Sequence, residues 1–170
     1  KILTNQPTLA ELWTSYNSAG YRTSDVKDVG THKIVRNVGS SATNNEPVYG
    51  FVDRVVAQPH PTAHKVIISK TGNPRALTSV KTVPPGVLLG GQIVAFPVAS
   101  ATEAETLKSF LFSKMVQFII KTHKGSNENS KNVFKLIPQV NFTRSWTDAE
   151  LYAHFNLTQE EIDLIESTVK

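Results

Sequence analysis

The sequence predicts an α+β fold: a mixed or antiparallel sheet over about residues 30–100, an N-terminal helix before it, one long helix over 103–122 and a pair of short helices at the end. Three observations carry this. Runs rich in β-branched and aromatic residues, bounded by turn residues, are confined to the stretch between Gly20 and Ala101. Apolar residues recur at helical spacing from Leu107 to Ile119. Four Thr-x-x-Glu capping boxes stand at Thr8, Thr102, Thr147 and Thr158. Strands grouped together and helices grouped after them separate this layout from an alternating, doubly wound sheet.

In chain order, the box at Thr8 starts a helix that buries Leu9, Leu12, Trp13 and Tyr16 and stops by Gly20. The strands are His32–Val38, Val48–Ala57, Lys65–Lys70 and Gln92–Ala99. Between them lie a polar loop with Asn44-Asn45, the Pro59/Pro61 segment, the Gly72/Pro74 turn and Pro84-Pro85-Gly86. The long helix presents Leu107, Phe110, Leu111, Met115, Phe118 and Ile119 as one stripe, with Lys108, Lys114 and Lys121 largely off it and Gly125 as its C-cap. Gly125–Lys131 reads as a flexible polar loop. The boxes at Thr147 and Thr158, with staples from Trp146 to Leu151 and from Leu157 to Ile162, start two short helices that form a hairpin. Phe110, Phe118, Phe134, Phe142 and Trp146 are expected in the core or in staples rather than as base-stacking platforms.

The 170 residues suit one domain with an appendage: residues 1–125 form the α+β body, and 126–170 a basic loop and a helical hairpin packed on it. No apolar stretch approaches 18 residues, so no membrane partner is expected. The chain starts at Lys1 rather than Met, with no apolar leader, and is expected to be a piece of a longer protein. Cysteine is absent, which excludes disulfides and thiolate metal sites and fits a cytoplasmic location.

The formal net charge is +4 and its distribution is uneven. Between Thr106 and Trp146 stand Lys108, Lys114, Lys121, Lys124, Lys131, Lys135 and Arg144 against Glu128 alone, whereas the segment from Thr147 onward is acidic. A basic middle and an acidic end fit a polyanion-facing surface beside one that faces elsewhere; a solvated helix face accounts for the same counts equally well.

Signals for catalysis are weak. There is no glycine-rich phosphate loop and no nucleophile elbow. His60 and His64 are four apart, but Pro59 and Pro61 argue against a helical ligand pair, so no metal site is expected. Asp25-Val26-Lys27 has the acid-x-Lys spacing of some nucleases and lacks an acidic partner on a preceding strand. Binding is better supported. Lys65, Lys70, Arg75 and Lys81 surround a Gly/Pro turn, and Lys121 and Lys124 end the long helix. Asn127 and Asn129 stand in the polar loop, with Lys131 and Arg144 beyond it. Lysine and arginine neutralise phosphates, and asparagine suits the edge of adenine. The helix dipole alone explains Lys121 and Lys124, but not Lys131 or Arg144.

The run Val133-Phe134-Lys135-Leu136-Ile137-Pro138-Gln139-Val140-Asn141-Phe142, followed by Trp146-Thr147-Asp148-Ala149-Glu150-Leu151-Tyr152 and by Leu157-Thr158-Gln159-Glu160-Glu161-Ile162, resembles the C-terminal end of type II restriction–modification adenine-specific DNA methyltransferases. The match is close over the last quarter of the chain and loose over about two thirds. It implies that residues 1–125 are a target-recognition-like domain, that double-stranded DNA is the partner, and that a catalytic methyltransferase domain of the same parent chain, sometimes fused to a restriction endonuclease, is another. S-adenosylmethionine is implied for the parent and no cofactor for this chain. The family's Asn-Pro-Pro-Tyr-type motif is absent: Asn73-Pro74-Arg75 begins like it but lacks the second proline and the aromatic residue, so no catalytic residue is carried over. Two other readings stay open, a protein-interaction domain whose basic face meets an acidic partner and a nuclease with an unrecognised site.

Overall fold

The computed structural model describes residues 6–16, 26–27, 32–39, 46–52 and 57–169. Outside these lie Gly20, Asp25, the Asn44-Asn45 loop and residues 53–56 of the second expected strand. The fold is α+β. Its centre is an antiparallel four-stranded sheet in the order β1 (Thr14–Ser15), β8 (Ile93–Val98), β5 (His64–Ser69) and β6 (Val80–Val83). A second sheet has the order β2 (Val26–Lys27), β4 (Val48–Val52), β3 (His32–Asn37) and β7 (Leu88–Leu89), with β3 and β7 parallel.

β5 and β8 run against each other from His64↔Val98 to Ser69↔Ile93, and their middle residues Val66–Ile68 and Ile93–Phe96 are all apolar, because both of their faces are covered. Val66, Ile68, Val94, Phe96 and Val98 belong to the core shared with the helices, while Ile67, Ile93 and Ala95 meet Val35, Val38 and Leu89 on the other side. The strict two-residue alternation of a strand makes this division.

The helices are α1 (Leu9–Leu12), α2 (Ala101–Leu111), α3 (Lys114–His123), α4 (Lys131–Phe134), α5 (Asp148–His154) and α6 (Gln159–Thr168). The first three differ from the sequence reading, and α4 falls where no helix was expected. The N-terminal helix is a single turn. Trp13 leaves it in an extended conformation so that its ring meets Phe96 edge-on at 5.8 Å and Phe134 at 4.9 Å, and Thr14 and Ser15 pair with β8. Tyr16 is therefore buried beyond a strand rather than on a helix face.

The long helix is two helices. Phe112 closes α2, Ser113 turns extended, and its Oγ accepts from Val116 N–H to cap α3. The apolar stripe passes through this break without a glycine or proline to mark it. The first of the two is capped by Ser100 rather than Thr102: Ser100 Oγ accepts from Glu103 N–H at 3.1 Å, and the Glu103 carboxylate accepts from Ala99 N–H. Glu105, the partner expected of Thr102, instead bonds Thr82 Oγ1 at 2.6 Å and Lys108. At the other end α3 stops at Lys124, whose N–H reaches Ile120 O, and Gly125 does not adopt a left-handed cap.

The boxes at Thr147 and Thr158 form as expected. α5 and α6 both rest on α3: Asp148 Oδ1 accepts from Lys114 N–H at 2.8 Å, Glu166 pairs with Lys114 Nζ, and Tyr152 OH donates to Glu166. Residues from both sides of position 125 share one core, in which Val133, Phe134, Ile137, Phe142, Leu151 and Ile165 lie with Leu9, Val66, Phe96 and Leu107.

Candidate nucleic-acid interface

At the end of β5 the chain leaves the sheet through a ridge, residues 71–79, before it returns as β6. The segment after α3 comes alongside. Asn129 N–H donates to Lys70 O at 2.7 Å, Gly72 N–H donates to Asn127 O at 2.8 Å, and Asn129 Nδ2 donates to Ser69 O at 2.7 Å. The expected flexible loop is thus pinned to the sheet as a short extra ladder.

Between the ridge, this segment and the end of β3 lies a cleft of about 490 Å³. Asn37, Ser69, Asn73, Thr78, Asn127 and Asn129 line it, together with small and apolar residues, and none of the described lining residues carries a formal charge. Its floor is fixed: Ser69 Oγ donates to Asn37 Oδ1 at 2.5 Å and accepts from Val38 N–H at 3.2 Å. The ridge is held from below by Gln117, whose amide accepts from Leu77 N–H and donates to Leu77 O and Leu111 O, so that Leu77 is buried. Asn73 Oδ1 accepts from Arg75 N–H at 2.8 Å in an Asx turn, and Arg75 is exposed on it. On the ridge's other flank is an open groove of about 700 Å³ lined by Arg75, Phe112, Gln117 and Lys121.

The expected contact residues separate into three groups. Arg75, Lys131 and Asn127 are exposed on the ridge and the adjoining segment. Lys70 stands at the foot of the ridge, half-buried, with Nζ donating to Tyr16 O at 3.2 Å. Lys121 is exposed in the groove and donates to Thr168 O at 2.6 Å, so its ammonium sits at the C-terminal end of α6 rather than serving its own helix.

Three others are turned inward, and the two lysines among them leave the contact set. Lys65 is 2% exposed, on the face of β5 that looks toward the second sheet; its Nζ donates to Ala63 O at 3.2 Å, and burial pushes its pKa down. Lys124 is buried beneath the ridge with Nζ on Asn73 O, and its pKa is likewise lowered by burial. Asn129 is buried with Nδ2 on Ser69 O, in the cleft floor rather than on the surface. Two more lie apart. Lys81 is half-buried on β6 opposite Ile67. Arg144 stacks on Trp146 at 3.5 Å and pairs with Glu150 at 2.9 Å. Its neighbour Ser145 lines a groove with Ala101 and Thr102, at the end of the sheet where β5 begins.

Sequence reasoning missed Asn37, Ser69, Asn73, Thr78 and Gln117. Only Asn73, before a proline in a turn, carried a local signal; the others meet through tertiary packing. His60 sits in a turn with a φ of 52°, and His64 opens β5. Among the described residues no group of three or more His, Cys, Asp or Glu converges, and no helix is long and apolar enough to cross a membrane. No family model, no curated protein and no solved structure matches the chain.

Proposed function

We propose that this chain binds duplex DNA in a sequence-dependent way, as the target-recognition part of an adenine-specific restriction–modification methyltransferase whose chemistry resides in another part of the parent. The observation that carries the reading is the uncharged, amide-lined cleft flanked by Arg75 on its ridge and by Lys131 two residues past Asn129. Cations placed around neutral hydrogen-bonding groups are what a surface needs to grip phosphates and read bases. The resemblance over the last quarter of the chain supplies the family, and the pairing of a holding surface with a separate base-flipping pocket supplies the physical logic.

The test is a fluorescence-anisotropy titration against pooled random duplex DNA at two salt concentrations, with sequencing of the bound fraction. Binding that weakens steeply with salt and enriches one short motif is expected. Arg75→Glu and Lys131→Glu are expected to weaken binding and lower the salt slope, by about one per lost phosphate contact. Absence of binding at low salt overturns the reading and favours an acidic protein partner for the same cations.

A further inference from the structure

We propose that a second pocket, beside Lys65, binds a small organic monocarboxylate, with the carboxylate on the Lys65 ammonium and the hydrocarbon body against the apolar wall. The site is separate from the cleft, since Lys65 stands at the start of β5 and the cleft at its end, and it does not depend on the DNA-binding reading.

The pocket measures about 230 Å³ and lies between the start of β5, the segment before it and β7. Among its described lining residues Lys65 alone is charged. An ammonium carries three donors. Lys65 Nζ places one on Ala63 O at 3.2 Å, and the other two have no protein partner among the described residues. At 2% exposure the side chain has little bulk water to spend them on. A buried cation without a counter-charge costs stability, and an anion delivered to it offsets that cost.

The rest of the wall decides the class of anion. Val87 and Leu88 are apolar and are backed by the buried clusters around Val35 and Ile34. Gln58 supplies the other polar side chain, and both ends of its amide are engaged: Oε1 accepts from Leu89 N–H at 2.8 Å and Nε2 donates to Leu89 O at 2.7 Å. A phosphate, with several charged oxygens, would meet one cation and a largely apolar surface. A monocarboxylate needs one cation and leaves a hydrocarbon body for that surface. The volume lies below the roughly 300–1,000 Å³ of drug-sized sites, which points to a short chain. The rim is also set before a ligand arrives. Besides the Gln58 bonds, Gly86 N–H donates to Pro61 O and the Tyr16 hydroxyl donates to Pro59 O, both at 2.9 Å. Little ordering is then left for binding to do.

The test is thermal melting of the whole chain at neutral pH and constant ionic strength, in chloride, in hexanoate and in hexanamide, which has the same body without the charge. Hexanoate at about tenfold excess over its Kd is expected to raise Tm by about 3 °C over chloride, and hexanamide to leave it unchanged. Lys65→Met removes the charge while keeping apolar volume, and is expected to abolish the shift; its own Tm in chloride reports that it folds. Ala57→Phe fills the pocket from an exposed position without touching the lysine, and is expected to abolish the shift as well. Absence of a hexanoate shift in the wild type overturns the site. An equal shift from hexanamide overturns it too, because the carboxylate would then be irrelevant. A shift that persists in either variant places the ligand elsewhere and has the same consequence.

Discussion

Lys65 is buried at 2% exposure with a single carbonyl for its ammonium, and no carboxylate among the described residues pairs with it. A lone buried charge costs stability that one hydrogen bond does not return. Lys65→Met is therefore expected to raise stability at neutral pH by about 1 kcal/mol, read as a higher urea midpoint at unchanged slope. The sign with pH follows from its lowered pKa. The unfolded chain holds this proton up to about 10.5 and the folded chain gives it up sooner, so the wild type gains stability as pH rises through that interval. The advantage of Lys65→Met shrinks accordingly toward pH 10.5, and a constant advantage would show that packing rather than charge is at issue. Glu150 is the acidic counterpart. Bonds from Thr147 N–H and Oγ, then from Arg144, hold its carboxyl down to about 2 against an ordinary 4.5. Its contribution is complete above 4.5 and lost as pH falls through 2. Thermal melts of wild type and Glu150→Gln are expected to converge over that interval.

At the scale of elements, the break between α2 and α3 is braced by three side-chain bonds. Ser113 Oγ accepts from Val116 N–H, Gln117 Nε2 takes the orphan carbonyl of Leu111, and Asp148 accepts from Lys114 N–H. Ser113→Ala is expected to destabilise by about 1 kcal/mol, the usual worth of a helix N-cap, and Asp148→Ala by a similar amount. Neutral outcomes for both would indicate that the two helices join without loss. This break shows where sequence legibility ends. The boxes at Thr147 and Thr158 were readable because their partners lie three residues away, and the main strands because alternation and β-branching are local. Ser113 was not readable, since its hydroxyl caps without an acidic partner and the apolar stripe runs on regardless. The choice of Ser100 over Thr102 turned on Glu105 being drawn to Thr82 across the sheet, a contact 23 residues away in sequence. The cleft shows the same limit. Asn127 and Asn129 announced themselves as polar loop residues, whereas Asn37 and Ser69 reached it only because β3 and β5 end side by side.

At the scale of the whole molecule, the segment after position 125 is part of the core rather than an appendage to it. Phe134 stacks on Trp13 at 4.9 Å and on Phe96 at 5.3 Å, joining the first described turn, the central strand and the last third of the chain in one aromatic cluster. The backbone repeats the connection: Leu9 N–H donates to Ile137 O, and Gln139 N–H donates to Pro7 O, both at 2.9 Å. Removing residues 126–170 would expose Leu107, Phe110, Met115 and Val116 on the helices and Leu9 beside the sheet, all of them at most 2% exposed in the intact chain. Leaving that much apolar surface open far exceeds the marginal stability of a domain of this size. Residues 1–125 alone are therefore expected to lack a cooperative thermal transition. In the full chain Phe134→Ala, which empties the centre of the cluster, is expected to cost about 3–5 kcal/mol. The two measurements constrain each other. A cooperative melt from 1–125 together with a small Phe134→Ala effect would place a folding boundary at residue 125. A large effect of Phe134→Ala with no transition in 1–125 establishes a single folding unit, in which the cleft holds its shape because both halves of the chain build its walls.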